Sequence, residues 1–353
     1  MTTTLPAPTL TGTDLRGAMP AVPLLLDESR AIDWRAQRAV IRYYLAAGVD
    51  GLAVGVHTTQ FELHDDRAAL GDLWQLVADE VAASGRRVLL VAGITGDNGV
   101  AVAETELARD KGFEAVLMCA RGMASVVPEA LLDRARAVGD VLPSVGFYLQ
   151  ESVGGRHLPA AFWRELVEIE TVIGVKTAPF DRYRTRDVAE AILDSDRWDE
   201  VALLTGNDDA IIVDLVSPHR RVVNGQQRVL RFSGGLLGQY AVGARAATAL
   251  THQALELTEG GLGGDVPVDL LATGQDLVEV NGAVFDVAND FAGCVPGVNE
   301  VLRQQGLATT ALCLNPAEVL SPGQVDLISR ARERFGDLLD EQFIAENRDA
   351  WFS

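Results

Sequence analysis

The chain has 353 residues, of which 48% are hydrophobic and 34 are glycine, and its formal net charge at pH 7 is −20. This composition is typical of a well-packed α/β protein, and the acidic charge excludes nucleic acids and anionic membranes as expected partners because both would repel the chain. Cys119, Cys294 and Cys313 are widely spaced and form no Cys-x-x-Cys pair, which predicts reduced thiols without a disulfide framework or a zinc site.

The amino-terminal residues 1–13 are rich in threonine and proline. They lack the basic region and the apolar region of a signal peptide. No apolar run approaches the ~20 residues that are needed to span a bilayer. We therefore expect a cytoplasmic protein that has a flexible segment at residues 1–13 and no membrane partner.

Short apolar runs alternate with amphipathic stretches, which is the pattern of repeated β-α units and a parallel sheet. Eight strands are predicted, at residues 17–22, 51–56, 88–92, 115–119, 145–149, 172–176, 201–204 and 229–233. Helices are predicted at residues 34–47, 66–83, 98–111, 129–137 and 159–168. Asp33 is the expected N-cap of the first helix and Gly48 its stop. Eight such units favour a closed (β/α)8 TIM barrel over residues 14–258.

The part of the chain that follows the seventh strand has a different character. Residues 217–228 are polar and rich in arginine, which predicts an excursion between strands seven and eight. Residues 260–264 are glycine-rich and predict a flexible joint. Beyond them the chain is predicted to be helical, with breaks at the three prolines Pro296, Pro316 and Pro322. We expect residues 259–353 to form a C-terminal helical extension that packs on the barrel.

Lysine is rare in this chain, which contains only Lys111 and Lys176 and otherwise uses arginine for positive charge. Lys176 ends the sixth predicted strand. An arginine stays charged at any accessible pH, whereas a lysine in an apolar pocket can lose its proton and form an imine with a carbonyl substrate. The alternative is a structural lysine that emerges at a strand end and pairs with a surface carboxylate.

Active sites of such barrels are built at the carboxyl ends of the strands, where the loops begin. In this chain those positions carry the segments Val56–Phe61, Phe147–Gln150, Lys176, Thr205–Asp208 and Ser233–Gly238. A phenol on the strand next to Lys176, as at Tyr148, is suited to general acid–base work. The alternative for Tyr148 is a packing aromatic residue whose hydroxyl is hydrogen-bonded.

A resemblance is carried by four pieces in order: Gly48-Val49-Asp50-Gly51-Leu52, Tyr148, Ile173-Gly174-Val175-Lys176 and Leu204-Thr205-Gly206-Asn207-Asp208. From residue 15 to 246 the chain resembles the dihydrodipicolinate synthase/N-acetylneuraminate lyase family of Schiff-base-forming barrel enzymes. The resemblance implies that Lys176 forms an imine with a 2-oxo acid, typically pyruvate, and that Tyr148 relays protons. It also implies that Thr58 and Thr59 bind the substrate carboxylate and that Gly234 and Gly235 let the backbone approach the acid closely.

The chain departs from the family pattern at three places. The family's Gly-Thr-Thr-Gly-Glu loop is replaced by residues 56–61, where its threonines correspond either to His57-Thr58 or, with a gap, to Thr58-Thr59, and where Gln60 stands for the acid. The Pro-Tyr-Tyr motif after strand four is replaced by a segment around Arg121 without tyrosine. The synthase arginine that follows the tyrosine of strand five falls near Val153. His57 and Arg121 are therefore the candidates for contacting the second substrate.

These features predict a class I lyase or aldolase that needs no cofactor and acts on a 2-oxo acid together with an aldehyde or sugar-acid co-substrate. Family members are commonly tetramers, so a homo-oligomer, either a dimer or a tetramer, is expected. Three alternatives remain: a genuine dihydrodipicolinate synthase, a non-catalytic 2-oxo-acid-binding protein and a metal-dependent barrel enzyme. No metal site is predicted, because His57 is the only strand-end histidine and no His-x-His pair occurs.

Overall fold

The computed structural model of the chain describes residues 10–124, 126–259, 261–262 and 264–353. Eight parallel strands form one sheet that curls into a nearly closed barrel. The barrel strands are β1 (Gly17–Pro20), β2 (Gly51–Val54), β3 (Leu89–Ile94), β4 (Ala115–Met118), β5 (Ser144–Leu149), β6 (Val172–Ala178), β7 (Ala202–Thr205) and β10 (Phe232–Leu237). Their order in the sheet is β1-β10-β7-β6-β5-β4-β3-β2. A parallel bridge between Ala21 and Ala53 joins the two ends of this order.

Helices surround the barrel and continue beyond it. Those of the barrel are α1 (Trp34–Ala47), α2 (Arg67–Ser84), α3 (Asn98–Asp110), α4 (Pro128–Gly139), α5 (Ala160–Val167), α6 (Arg182–Asp194), α7 (Ile211–Val216) and α8 (Ala244–Glu259). The C-terminal helices are α9 (Val268–Val284), α10 (Cys294–Gln304), α11 (Gln324–Arg334) and α12 (Glu341–Trp351). The predicted (β/α)8 TIM barrel with additional C-terminal helices is confirmed. Among the described residues, no helix combines the length and the apolar character needed to cross a bilayer.

Helix α1 illustrates how local sequence sets an element. The Asp33 side chain accepts a hydrogen bond from the Ala36 N–H, which satisfies one of the free donors at the helix start. Gly48 ends the helix with φ of 90°, a conformation that glycine adopts without steric cost. Val40 and Ile41 lie on the buried face. The predicted bounds 34–47 agree with the observed helix because its cap, its stop and its apolar face are all local signals.

The barrel interior is filled by small and branched apolar side chains that form a cluster of their own. Its members are Leu15, Met19, Ala21, Ala53, Val56, Leu89, Val91, Ala115, Leu117, Cys119, Val145, Ile173, Ala202, Leu204 and Leu236. A second, larger cluster lies between the strands and the surrounding helices. Strand residues of the first cluster point into the barrel, and those of the second point outwards to the helices. The same alternation decides which side chains at the strand ends face the candidate site.

The eighth barrel strand was predicted at residues 229–233, and this prediction is wrong. An antiparallel hairpin, β8 (His219–Val223) and β9 (Gln226–Leu230), precedes it, and the barrel strand is Phe232–Leu237. Only Arg231 separates β9 from β10. The predicted strand at residues 229–233 therefore covered the end of β9 and the start of β10. Asn224 and Gly225, with φ of 51° and 80°, form the hairpin turn. That Asn-Gly pair is the signal in the sequence that indicates the hairpin.

The predicted flexible segment 1–13 lies largely outside the described residues. Gly12 is described, and it packs under the barrel, since a Cβ there would lie 2.7 Å from the Ile173 carbonyl oxygen. Two residues of the predicted joint at 260–264, Gly260 and Gly263, also lie outside the described part. Pro296 was predicted to break the helical structure, and this prediction is wrong. Pro296 lies in the first turn of α10, where the backbone N–H groups have no partner within the helix, so a proline loses no helical hydrogen bond.

The C-terminal extension is attached to the barrel by a buried carboxylate. Asp340, which precedes α12, accepts hydrogen bonds from the Tyr43 hydroxyl at 2.6 Å, the Arg245 N–H at 2.6 Å and the Ala246 N–H at 3.0 Å. Asp340 thereby links α1 and the start of α8 to the last helix. Because its side chain is buried, each of these donors compensates for water that the carboxylate has lost.

We expect Tyr43→Phe to lower the free energy of unfolding by about 1.5–3 kcal/mol, because a buried carboxylate loses a charge-assisted hydrogen bond. The matched control is Tyr183→Phe, which removes a hydroxyl from a side chain that is 86% exposed and is expected to change stability by less than about 0.5 kcal/mol. Urea denaturation of the three proteins measures the difference. Equal midpoints for both variants would contradict the role assigned to Asp340.

Candidate active site

Lys176 lies on β6, and its side chain points into a cavity at the carboxyl end of the barrel. It pairs with Phe147 on β5 and with Leu204 on β7. The side chain is buried, and the cavity, called here the lysine cavity, measures about 540 Å³ including its mouth. Gly206 leaves room for the lysine, since a Cβ there would lie 2.6 Å from Lys176 Cε. The sequence-predicted lysine therefore has the buried surroundings that the imine hypothesis requires.

The protonation of this lysine is set by opposing effects. Burial lowers the pKa of Lys176 from 10.5 to about 8, and the negative charge of Asp208 partly opposes that shift. Burial raises the pKa of Asp208 to about 7, although the Gln239 N–H, 3.1 Å from its carboxylate, and the charge of Lys176 favour the ionised form. The ring of Phe147 lies 4.3 Å from the lysine Nζ, a contact that favours the ammonium form. The amine is thus able to lose its proton close to neutral pH.

His57 lines the lysine cavity, as the sequence hypothesis requires. Burial, and secondly the charge of Lys176, lower the pKa of His57 to about 4. The imidazole is therefore neutral at pH 7 and offers one N–H donor and one acceptor nitrogen. Its ring packs beside Phe61, with the ring centroids 5.8 Å apart. Arg121, the other candidate for contacting a second substrate, does not line the lysine cavity but shares an outer cavity with His57.

The two threonines that follow His57 have different positions. Thr58 lines the lysine cavity, but its hydroxyl donates its proton to the Ala21 carbonyl oxygen at 2.8 Å. Thr59 is fully buried; its hydroxyl donates to the Val22 carbonyl at 2.7 Å and accepts from the Gly55 N–H at 2.9 Å. Thr59 holds the loop after β2 in place and is not part of the cavity wall. The structure thus brings Thr58, but not Thr59, to Lys176.

Tyr148 is not brought to the lysine cavity. It pairs with Thr177 of β6, whereas Phe147 pairs with Lys176, and successive strand residues face opposite sides of a sheet. The Tyr148 hydroxyl lies 3.2 Å from His157 Nδ1, and its ring lies 4.9 Å from that of Trp163. The tyrosine therefore packs between β5 and α5, and the side chain that faces the lysine is a phenylalanine.

Gly234 and Gly235 lie in the middle of β10 and do not line the lysine cavity. They pair with Gly17 and Ala18 of β1, and a Cβ at Gly234 would lie only 2.1 Å from the Gly17 carbonyl oxygen. These glycines permit close contact between two strands rather than between the backbone and a ligand. The glycine of this segment that does line the cavity is Gly238.

The C-terminal extension supplies the roof of the lysine cavity. Phe285 and Phe291, from the connection between α9 and α10, both line it. Phe291 adopts a φ of 65°, which is strained for a bulky residue, so neighbouring contacts must hold it. Asp286 accepts a hydrogen bond from the Gly293 N–H at 3.0 Å. Ser152, from the loop after β5, donates to Asp290 at 2.8 Å and ties the roof to the barrel.

A buried pair of hydrogen-bonded side chains, His64 and Glu104, supports the loop that carries His57 and Thr58. His64 Nδ1 lies 2.9 Å from a Glu104 carboxylate oxygen, and His64 Nε2 lies 2.8 Å from the Gly55 carbonyl oxygen. Both ring nitrogens of His64 therefore face oxygen atoms of neighbouring residues. The second Glu104 oxygen accepts from the Thr95 N–H at 2.7 Å. This arrangement fixes the carbonyl of Gly55, where the chain leaves β2.

Several residues of the lysine cavity were not singled out from the sequence. They are Phe147, Leu149, Gln150, Val153, Ala178, Phe180, Gly206, Gly238, Phe285, Phe291 and Cys294. Phe147, Leu149, Gln150, Gly206, Asp208 and Gly238 lie within the strand-end segments that the sequence indicated, although none of them was chosen as a candidate. Phe285, Phe291 and Cys294 come from the extension, and no local pattern links them to Lys176. Within the described residues, no group of three or more His, Cys, Asp or Glu side chains is arranged to hold a metal ion.

Comparison with protein families finds a match to the Dihydrodipicolinate synthetase family over residues 14–218. N-acetylneuraminate lyase from Citrobacter koseri is 27% identical over 207 residues, which cover 56% of this chain and 68% of that protein. N-acetylneuraminate lyase 2 from Escherichia coli is 22% identical over 339 residues, which cover 91% of this chain and 94% of that protein. The resemblance inferred from the sequence is therefore confirmed.

Solved structures of low sequence identity share the fold. Dihydrodipicolinate synthase from Acinetobacter baumannii, complexed with pyruvate, has a TM-score of 0.73 at 16% identity and covers 91% of this chain and 99% of its own. N-acetylneuraminate lyase from Fusobacterium nucleatum, also complexed with pyruvate, has a TM-score of 0.70 at 18% identity, covering 92% and 98%. The family match spans more than half of the chain and the relatives are lyases, so the chain belongs to the dihydrodipicolinate synthetase family and is a lyase.

Proposed function

We propose that this chain is a class I lyase that forms an imine between Lys176 and pyruvate or another 2-oxo acid. The observation that carries the proposal is a buried lysine, with its pKa lowered to about 8, in a cavity at the carboxyl end of the barrel. Two compared structures of the family are complexes with pyruvate, which supports a 2-oxo acid as the first substrate.

The reaction begins when the neutral amine of Lys176 attacks the ketone carbon of the acid. The resulting carbinolamine loses its hydroxyl as water and leaves an iminium. Loss of a proton from the adjacent carbon gives an enamine, whose carbon forms a bond to the carbonyl carbon of a second substrate. That carbonyl oxygen takes up a proton, and water hydrolyses the iminium and frees Lys176. The reverse sequence cleaves the same carbon–carbon bond.

These steps need groups that move protons close to the lysine. Because Tyr148 faces α5, we assign proton transfer to Asp208, whose carboxyl faces the same cavity and whose pKa burial raises to about 7. A group with a pKa near the working pH is efficient both as an acid and as a base. The neutral His57 ring is the second group able to donate a hydrogen bond to a substrate oxygen.

The carboxylate of the 2-oxo acid requires donors that are not already used. The only hydroxyl proton of Thr58 is donated to Ala21, so Thr58 contributes its surface and its backbone N–H. The side-chain amide of Gln150 lines the same cavity. We therefore assign carboxylate binding to the Gln150 amide together with the Thr58 N–H, and not to Thr59, whose hydroxyl is buried and fully bonded.

A second candidate is a non-catalytic 2-oxo-acid-binding protein, and the observation that favours it is Phe147. This side chain, which has no hydroxyl, stands beside the amine on the neighbouring strand. A genuine dihydrodipicolinate synthase is less well supported, because residues 119–123 contain no tyrosine and Arg121 lies in the outer cavity. Multiple turnovers with any carbonyl co-substrate would separate an enzyme from a binding protein.

We expect borohydride reduction in the presence of pyruvate to leave one covalent adduct on Lys176. Lys176→Ala should abolish the adduct because the nucleophile is gone. Lys111→Ala is the matched control, since Lys111 is the only other lysine and its amine lies at the surface, 3.1 Å from Gln75. Mass spectrometry of the intact proteins and of their peptides gives the result. An absence of adduct in the unmodified chain, with pyruvate and with a panel of 2-oxo acids, would refute the proposal.

The rate of adduct formation should rise with pH through a midpoint near 8, because only the neutral amine is nucleophilic and burial lowers the pKa of Lys176 to about 8. Asp208→Asn should move this midpoint to lower pH, since a negative charge that favours the ammonium form is removed. It should also reduce the maximal rate if Asp208 transfers protons.

The matched control for this profile is Asp196→Asn, because Asp196 is exposed, does not line the lysine cavity and does not contribute to the pKa of Lys176 or Asp208. Its midpoint is expected to equal that of the unmodified chain. Rates are measured by quenching with borohydride at timed intervals across pH 6–10. A midpoint that Asp208→Asn raises, or leaves unchanged, would contradict the electrostatic coupling between Asp208 and Lys176.

A further inference from the structure

A third cavity, called here the side cavity, lies beside the lysine cavity between β4, β5, α4 and α5. It measures about 730 Å³ including its opening, which is in the range of small-molecule sites. Phe147, Leu149 and Val153 line both cavities. The two cavities therefore adjoin at these three side chains, next to the position that a carbonyl group bound at Lys176 would occupy.

The walls of the side cavity are largely apolar. Its large apolar lining residues include Met118, Leu131, Leu158, Phe162, Trp163 and Leu166. Such walls offer few partners for hydroxyl groups, and each unpaired buried hydroxyl costs free energy. A polyhydroxylated chain would therefore lose more hydration here than it regains, whereas an aromatic ring would pack favourably against the phenylalanine and tryptophan rings.

The side cavity also contains a buried positive charge. Arg134 is 1% exposed and lines it, and one guanidinium nitrogen donates to the Gly96 and Cys119 carbonyl oxygens at 3.1 and 2.8 Å. Its Nε is buried without a hydrogen-bond partner among the described residues. The charges of Asp97 and Glu104 act on Arg134 from beyond salt-bridge distance, no carboxylate of the described residues forms a salt bridge with it, and the residues outside the described part include no acid. Buried charges are normally paired at contact distance, so this guanidinium points to an anionic ligand group.

Two further arginines line the side cavity. Arg121 lies 3.4 Å from the Glu62 carboxylate, and Arg156 donates to the Val126 carbonyl oxygen at 2.8 Å. In a chain with a net charge of −20, three arginines around one apolar space make a local exception to the acidic surface. The combination of apolar walls and positive charge suits a ring that carries an acidic substituent.

We propose that the side cavity binds the aromatic part of the carbonyl co-substrate, with an acidic substituent of its ring against Arg134. This inference rests on the proposed function, since it names the class of the second substrate of the same site. In the condensing direction, the enamine carbon bonds to the carbonyl carbon of an aryl aldehyde. The aldehyde oxygen takes up a proton and becomes a hydroxyl, and water then releases the product from Lys176.

Binding is tested with 3-(hydroxymethyl)benzoate, an alcohol that cannot form an imine, in comparison with benzyl alcohol and with erythritol. Isothermal titration calorimetry should give an affinity for the benzoate about tenfold or more above that for benzyl alcohol, because a charge-assisted pair forms at Arg134. Erythritol should not bind measurably. In Arg134→Met, the benzoate and benzyl alcohol should bind equally, since the apolar walls remain while the charge is lost.

A second pair of variants tests the side cavity independently, in case Arg134→Met does not fold. Ala120→Phe places a ring into the side cavity, whereas Ala161→Phe adds the same ring on the exposed surface of α5. We expect Ala120→Phe to lower benzoate affinity about tenfold or more and Ala161→Phe to leave it unchanged. Pyruvate should still form its adduct in Ala120→Phe, because Ala120 does not line the lysine cavity.

Turnover supplies the functional comparison, with pyruvate as first substrate and 3-carboxybenzaldehyde, benzaldehyde or erythrose as second. The carboxylated aryl aldehyde should be consumed fastest. If the pyruvate adduct forms but erythrose is preferred, or if Ala120→Phe leaves benzoate binding intact, the inference is overturned while the proposed function stands. If no adduct forms, the proposed function fails, and benzoate binding that depends on Arg134 would still support the side cavity as an aryl-acid site.

Discussion

Burial of one amine constrains the rest of this site. A charged ammonium loses hydration when it leaves water, and burial accordingly lowers the pKa of Lys176 to about 8. Gly206 must lack a side chain for the lysine to fit, and Asp208 must face the same cavity for the charge to be partly compensated. The same surroundings that make a charged lysine unfavourable make a neutral, nucleophilic amine available, which is what imine chemistry needs.

The register between β5 and β6 decides which side chain accompanies that amine. A register shift, with one extra residue on β6 opposite Ser144 and Val145, places Lys176 opposite Phe147. Along β5 itself the side chains alternate, so Phe147 faces the cavity while Tyr148 faces α5. Asp208 and His57 are ionisable groups that line the same cavity, and this is why we propose Asp208 for proton transfer. Phe147 also lines the side cavity, so one residue contacts both Lys176 and the space that we propose for a second substrate.

The C-terminal extension is part of the site and not only an addition to the barrel. Asp340 ties the last helix to α1 and α8 through three hydrogen bonds, and the connection between α9 and α10 covers the lysine cavity with Phe285 and Phe291. A roof of aromatic side chains reduces the access of water, which strengthens electrostatic interactions beneath it. The barrel thus carries Lys176 and Asp208, while the extension covers them with apolar side chains that keep water away.

The sequence by itself determined the barrel, because alternating apolar runs, helix caps and helix stops are local signals, as at Asp33 and Gly48. It also made Lys176 the candidate nucleophile, since a rare lysine at the end of an apolar strand is visible without coordinates. Only the tertiary structure decided that Tyr148 points away and that Thr59 and Gly234 serve the scaffold. A one-residue change of register reverses the face of every following side chain, and contacts between distant segments leave no local pattern.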